Sequence, residues 1–194
     1  EVTVDGVDVI KIVLGQGEKV IGEVVDAETG MPVPDASVSL ADPAKIERLR
    51  FVRPERLADV AKTGAGGYYM LTRAPRGMLL LVVRHRDYLP EFVPVNTRKT
   101  PPVVTLHKPA TMKGVVRDAS GALAAGVRVV ALSEQVYDGG ETKTDSFGRW
   151  TLKGLRPGPY QVHALGGAVN AESTTPVELQ DGRTATVALE LAPQ

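Results

Sequence analysis

The chain repeats itself, and that repetition constrains its fold more than any other feature. Gly22-Glu23-Val24-Val25-Asp26-Ala27-Glu28-Thr29-Gly30 returns as Gly114-Val115-Val116-Arg117-Asp118-Ala119-Ser120-Gly121. Thr63-Gly64-Ala65-Gly66-Gly67-Tyr68-Tyr69-Met70-Leu71 returns as Thr144-Asp145-Ser146-Phe147-Gly148-Arg149-Trp150-Thr151-Leu152. A period of roughly 80 to 90 residues is that of whole domains in tandem, well beyond the 20 to 50 residues of a solenoid repeat. Residues 16–108 and 109–194 are the two units this implies. Ile12-Val13-Leu14 lines up with Val104-Thr105-Leu106, so residues 1–15 read as the closing strand of a preceding module or an extra edge strand.

Each unit is small enough to bury only about 60–65% of its unfolded surface, so its core has little margin. With no cysteine the modules hold without disulfides or thiolate metal sites. Lys plus Arg and Asp plus Glu both number 23, a balance that favours neither nucleic acid nor an acidic membrane as partner. No run of about 18 apolar residues is available for a transmembrane helix. The chain starts at Glu1 with no basic-apolar leader, and reads as processed or cut from something longer.

Gly and Pro recur between short alternating runs, the pattern of an all-β sandwich or barrel. In the first unit strands are expected at 19–25, 36–40, 68–72, 78–85 and 102–107. In the second they are expected at 111–117, 127–132, 149–153, 160–165 and 184–191. Gly67 and Gly148 precede the two aromatic-bearing strands, where a tight turn calls for positive φ. Tyr69 and Trp150 then occupy one position in the two copies and read as core anchors. Between the strands ending near Leu40 and beginning near Tyr68 the first unit is about ten residues longer. Asp42 can cap, Pro43 suits a first helical position, and Ile46 and Leu49 share a face, so this insertion is expected to be a short helix.

The pattern Gly-x-Val-Val-Asp-x-x-x-Gly-x-Pro-Val-Pro-Asp-Ala-x-Val, followed by Thr-x-x-x-Gly-x-Tyr-x-Leu and a Pro-x-Gly turn, resembles the carboxypeptidase regulatory-like module. The likeness covers nearly all of residues 16–194 as two copies. The second copy keeps Asp118, Gly121, Thr144, Asp145, Gly148 and Leu152, but has Leu123-Ala124-Ala125-Gly126-Val127 in place of Pro-Val-Pro-Asp-Ala. The resemblance implies an all-β chain of two tandem Greek-key β-sandwich modules, transthyretin-like or Ig-like, with no catalytic residues of their own. It implies export by a bacterium and residence outside the cell, at the cell surface or in the periplasm.

The residues point away from any reactive constellation. His85, His107 and His163 share no metal-binding spacing and read as surface or sheet-face histidines. No His-Glu-x-x-His helix and no Gly-x-Ser-x-Gly elbow occurs. Gly64-Ala65-Gly66-Gly67 leads into a strand, whereas a phosphate loop leads into a helix. Asp26, Glu28, Asp118 and Asp145 lie in turns and read as turn-stabilising, because calcium asks for six to eight oxygens. No enzyme activity, cofactor or metal is expected. Lys45, Arg48, Arg50, Arg53 and Arg56 form a candidate interaction loop, since rigid sandwiches carry function on loops. The reading is a non-catalytic spacer and protein-binding scaffold of a larger exported protein, partnered by another envelope or surface protein. The alternatives are a carbohydrate-binding module, with a polysaccharide as partner, and accessory domains of a hydrolase whose catalytic part lies elsewhere.

Overall fold

A computed structural model describes residues 2–4, 8–10, 17–43, 60–136, 138–166 and 169–191. Two short strands, β1 (Val2–Val4) and β2 (Asp8–Ile10), pair antiparallel with each other. Fourteen further strands fall into two sets of seven with one topology.

The first set comprises β3 (Glu18–Asp26), β4 (Ser37–Ala41), β5 (Ala61–Lys62), β6 (Tyr68–Ala74), β7 (Met78–Arg84), β8 (Glu91–Asn96) and β9 (Val104–Leu106). They form a three-stranded sheet ordered β6-β3-β9 and a four-stranded sheet ordered β5-β4-β7-β8. The second set comprises β10 (Ala110–Arg117), β11 (Arg128–Ser133), β12 (Asp138–Lys143), β13 (Arg149–Leu155), β14 (Gly158–Gly166), β15 (Val169–Leu179) and β16 (Thr184–Glu190). Its sheets run β13-β10-β16 and β12-β11-β14-β15, the same order strand for strand. In each set the first and last strands are parallel neighbours, β3 with β9 and β10 with β16, and all other pairings are antiparallel.

Alternation builds the cores. Along β6 and β13 every second residue turns inward at the start, burying Tyr69 with Leu71 and Trp150 with Leu152. Two separate clusters result. One gathers Val20, Val24, Tyr69, Leu71, Leu81, Val83 and Leu106; the other gathers Met112, Val116, Trp150, Leu152, Tyr160, Val162 and Leu189.

The aromatic rings dictate a glycine on the adjacent strand. Gly22 is the cross-strand partner of Tyr69, and Gly114 of Trp150. A β-carbon at Gly22 would lie 2.4 Å from the Tyr69 hydroxyl, and one at Gly114 would lie 1.7 Å from the Val187 carbonyl oxygen and 2.9 Å from the Trp150 ring. At Gly22 the Tyr69 side chain occupies the space that a side chain would need, and at Gly114 the Val187 backbone and the Trp150 ring share it.

A threonine staple recurs beside these anchors. Thr63 Oγ1 donates to the Val33 carbonyl at 2.7 Å and accepts from Ala36 N–H at 2.8 Å. Thr144 Oγ1 donates to the Ala124 carbonyl at 2.8 Å and accepts from Val127 N–H at 2.9 Å. The donating bond spans 30 residues in the first copy and 20 in the second, which places the extra ten residues between β4 and β5. Of the short helix expected from Asp42 to Arg50 only Asp42 and Pro43 are described, the rest lies outside the described residues, and no α-helix occurs among the described ones.

Four strands of the two sets are absent from the sequence expectation: β5, β8, β12 and β15. All four lie at the edges of the four-stranded sheets. The strand β7 also departs from expected alternation, because Leu80, Leu81, Val82 and Val83 are all buried.

A candidate interface where the two strand sets meet

A polar network surrounds the passage from β9 to β10, through His107, Lys108 and Pro109. It begins with a buried acid. Asp26 ends β3 and is 5% exposed. Its Oδ1 accepts from the N–H groups of Glu28 and Thr29 and from the Thr29 hydroxyl, at 2.9 to 3.0 Å, an Asx-type turn that closes the Asp26–Gly30 loop. Its Oδ2 accepts from Tyr88 Oη at 2.7 Å and pairs with Lys108 Nζ at 2.8 Å. Burial acts to raise the Asp26 pKa, but the bonds from Lys108, Tyr88 and Thr29 outweigh it and hold the carboxyl well below the usual range. Burial, and then the Asp26 carboxylate, push the Tyr88 phenol up to about 12. The Lys108 ammonium also stands over the Tyr88 ring, 5.7 Å from its centroid.

The second strand set reaches back through the turn between β15 and β16. Asp181 Oδ1 accepts from the Lys108 backbone N–H at 2.6 Å, and its Oδ2 lies 2.6 Å from His107 Nδ1. Gly182 has φ 62° and donates its N–H to the Lys108 carbonyl. A β-carbon there would come within 3.3 Å of the Lys108 Cβ, so glycine serves both the turn and the close approach. Arg183 pairs with Glu28 at 3.4 Å.

A third crossing joins the β13–β14 turn to the first set. Arg156 forms an ion pair with Glu91 and donates to the Pro90 carbonyl at 2.9 Å. Its own backbone is fixed by Asp138 Oδ2, which accepts from Arg156 N–H at 2.6 Å and from Tyr160 Oη at 2.7 Å. Between these crossings lies a cleft of about 450 Å³, lined by Glu28, His107, Pro157, Asp181 and Arg183 among others.

Chemically this arrangement clamps. Charged hydrogen bonds join the two strand sets at three places, Asp181 on Lys108, Arg183 on Glu28 and Arg156 on Glu91, and Pro109 fixes one backbone angle within the passage. Sequence reasoning missed it because the partners are far apart in the chain, 73 residues for Lys108 and Asp181 and 65 for Arg156 and Glu91. The reading of His107 as an ordinary surface or sheet-face histidine misses its bond to Asp181.

The other singled-out residues are dispersed. Tyr69 and Trp150 are 2% and 3% exposed, and Gly67 and Gly148 adopt φ 74° and 65°. Lys45, Arg48, Arg50, Arg53 and Arg56 fall outside the described residues. Asp118 and Asp145 each cap their own turn, Asp118 through Ser120 and Ala122 and Asp145 through Phe147 and Arg149. No described helix is long and apolar enough to cross a membrane.

Residues 111–192 match the family model of the carboxypeptidase regulatory-like domain, the family to which the repeat residues pointed. No curated protein matches the chain. Among solved structures, the minor pilin GBS52 of Streptococcus agalactiae is similar at 15% identity, with 92% of this chain and 98% of that chain covered and a TM-score of 0.43. A streptococcal ancillary pilin is similar at 16% identity, with 91% and 63% covered and a TM-score of 0.43. The Bacillus anthracis TIE protein is similar at 15% identity, with 91% and 34% covered and a TM-score of 0.37.

Proposed function

We propose that the chain is a non-catalytic spacer and protein-binding scaffold within a larger exported bacterial protein, held at the cell surface or in the periplasm. Its working units are two β-sandwich modules, residues 16–108 and 109–194, with residues 1–15 serving as a preceding module's closing strand or an added edge. The family that residues 111–192 match is a non-catalytic domain family, and the repeat extends the same strand plan to the first unit.

One observation carries this reading: the two strand sets are joined across the passage by Asp181–His107, Arg183–Glu28 and Arg156–Glu91. Surface ion pairs singly contribute little, about 0–1 kcal/mol. Here the aim is orientation, and three attachments from different loops define it. A spacer needs a fixed angle between its parts. Residual dipolar couplings test this directly. One alignment tensor is expected to fit both modules, and Asp181→Ala combined with Arg156→Ala is expected to split it into two. Two independent tensors in the unaltered chain would sink the spacer reading.

The partner-binding part of the proposal rests on Lys45, Arg48, Arg50, Arg53 and Arg56, five cations in one inserted segment. Photo-crosslinkers at positions 48 and 56 are expected to capture one envelope protein on intact cells. Reversing the charge of the five residues is expected to abolish that capture. Capture unchanged by the reversal refutes the loop as the docking element.

A further inference from the structure

Away from the clamp, the first strand set forms a cleft of about 590 Å³ lined by Asp35, Ser37, Lys62, Arg84, His85 and Arg86. That volume falls in the range of roughly 300–1,000 Å³ usual for small-ligand sites. Register assembles it: Ser37 of β4 pairs with Lys62 of β5 on one side and Arg84 of β7 on the other. His85 and Arg86 follow where β7 ends. His85 Nδ1 accepts from the Asp87 N–H at 3.2 Å, which assigns the proton of the neutral ring to Nε2 and makes that nitrogen a donor. The lining therefore combines three permanent cations, of which Arg86 also pairs with Asp87 at 3.2 Å, a donating imidazole, one hydroxyl and one carboxylate.

The sister copy shows that the shared fold does not require this set. The equivalents of Ser37, Lys62 and Arg84 by strand pairing are Arg128, Lys143 and Leu165. Lys62 makes no ion pair among the described residues. Asp35 adds a second sign. It sits at φ 58°, and its N–H donates to the Thr63 carbonyl just as Gly126, at φ 72°, donates to that of Thr144. The second copy meets this left-handed conformation with glycine, which adopts it freely, while the first keeps an aspartate there, on the lining of the cationic cleft.

We propose that this cleft binds a hydroxylated carboxylic acid, the uronate unit of an acidic polysaccharide. The ligand's carboxylate takes charge-assisted bonds from Lys62 and from Arg86, whose guanidinium exchanges its exposed Asp87 partner for the ligand's two oxygens. Its hydroxyls are met by Asp35 as acceptor and by Ser37 as donor or acceptor. A bare phosphate or an acidic peptide uses the cations but meets Asp35 as a repulsive charge. The site is independent of the spacer role and stands or falls separately.

Chemical-shift titration of the ¹⁵N-labelled chain tests it, with tetragalacturonate, maltotetraose, tripolyphosphate and tetraglutamate as probes. Tetragalacturonate is expected to shift Ser37, Lys62 and His85 saturably, with maltotetraose inert and the other two anions at least about fivefold weaker. Lys62→Ala with Arg86→Ala is expected to weaken tetragalacturonate at least about tenfold. Asp35→Gly, whose backbone the sister copy already tolerates, is expected to weaken it about fivefold while strengthening tripolyphosphate. The proposal is overturned if tetragalacturonate does not bind or if maltotetraose binds equally. It is also overturned if either other anion matches tetragalacturonate, if Asp35→Gly leaves the preference unchanged, or if the shifts map to Arg128 and Lys143.

Discussion

The two four-stranded sheets share one topology and differ in how they meet their surroundings. In the first, Leu81 and Val83 of β7 face the main core, while Leu80 and Val82 are buried on the opposite side with Ala41 and, in part, Phe92. In the second, Tyr160, Val162 and Ala164 of β14 turn inward, while Gln161 is exposed and His163 half-buried. The sequences state the contrast: Leu79-Leu80-Leu81-Val82-Val83 is continuous, and Tyr160-Gln161-Val162-His163-Ala164 alternates. A continuous apolar run belongs to a strand covered on both faces, and an alternating one to a strand with one wet face. Duplication preserved the hydrogen-bonded frame and left the outer face of each sheet free to diverge.

The sharpest test of that shared frame is glycine. Gly114→Ala drives a β-carbon into the Val187 carbonyl, a backbone atom that cannot yield. Loss of folding, or destabilisation above about 4 kcal/mol in urea, is expected. Gly22→Ala meets only the end of the Tyr69 side chain and is expected to cost about 1–3 kcal/mol. Equal costs would mean that the two sites are not differently constrained.

Next in size comes the doubly buried strand. Leu80→Ala is expected to cost about 2–5 kcal/mol, and Gln161→Ala, at the matching place in β14, to stay within about 0.5 kcal/mol. Denaturation midpoints of the two variants decide it, and a neutral Leu80→Ala would erase the contrast drawn above.

The paired turns differ in acid sensitivity. Asp26 has a depressed pKa, so its contribution is complete above the unfolded aspartate value of about 3.9 and is lost as pH falls toward the folded value. Stability of the first strand set is expected to decline below about pH 4, and Asp26→Asn is expected to flatten that decline while lowering stability at neutral pH. Asp118 is held low too, chiefly by the Ser120 hydroxyl, but its partners are confined to its own turn. Asp118→Asn is therefore expected to do less. Urea titrations at pH 7 and pH 3 separate the two.

The smallest effect concerns the anchors. Among the described residues neither Tyr69 Oη nor Trp150 Nε1, both buried, has a hydrogen-bond partner, and burial pushes the Tyr69 phenol up to about 12. Tyr69→Phe removes a desolvated group without opening a cavity, so a gain of up to about 1 kcal/mol is expected. A loss of that size would reveal a bond to the hydroxyl.

Much of the frame is legible in the sequence, because the same signals occur twice: Thr63 and Thr144, Gly67 and Gly148, Tyr69 and Trp150 keep one spacing. What escapes reading has a common physical cause. The strands β5, β8, β12 and β15 are bonded on one side only, and edges tolerate what interiors reject. Pro94 interrupts β8, Pro176 interrupts β15, and β12 reads Asp-Gly-Gly-Glu-Thr-Lys without an apolar residue. The clamp escapes for another reason. Its partners meet only after both strand sets have formed, and no local pattern announces that Lys108 will find Asp181 or that Arg156 will find Glu91. The cationic cleft was half visible, as Arg84 and Arg86 in a locally basic stretch, but Asp35 and Lys62 join it only through sheet register.

The parallel pairing of first and last strands has a mechanical consequence. A chain entering along β3 leaves along β9, and one entering along β10 leaves along β16, each at the far end of its own unit. Tension applied through the termini therefore loads these pairs in shear, so that their hydrogen bonds resist together and do not unzip one by one. The second pair is in register over Thr111–Arg117 and the first over Val24–Asp26 only, so under a rising pull the N-terminal unit should give way first and act as the fuse.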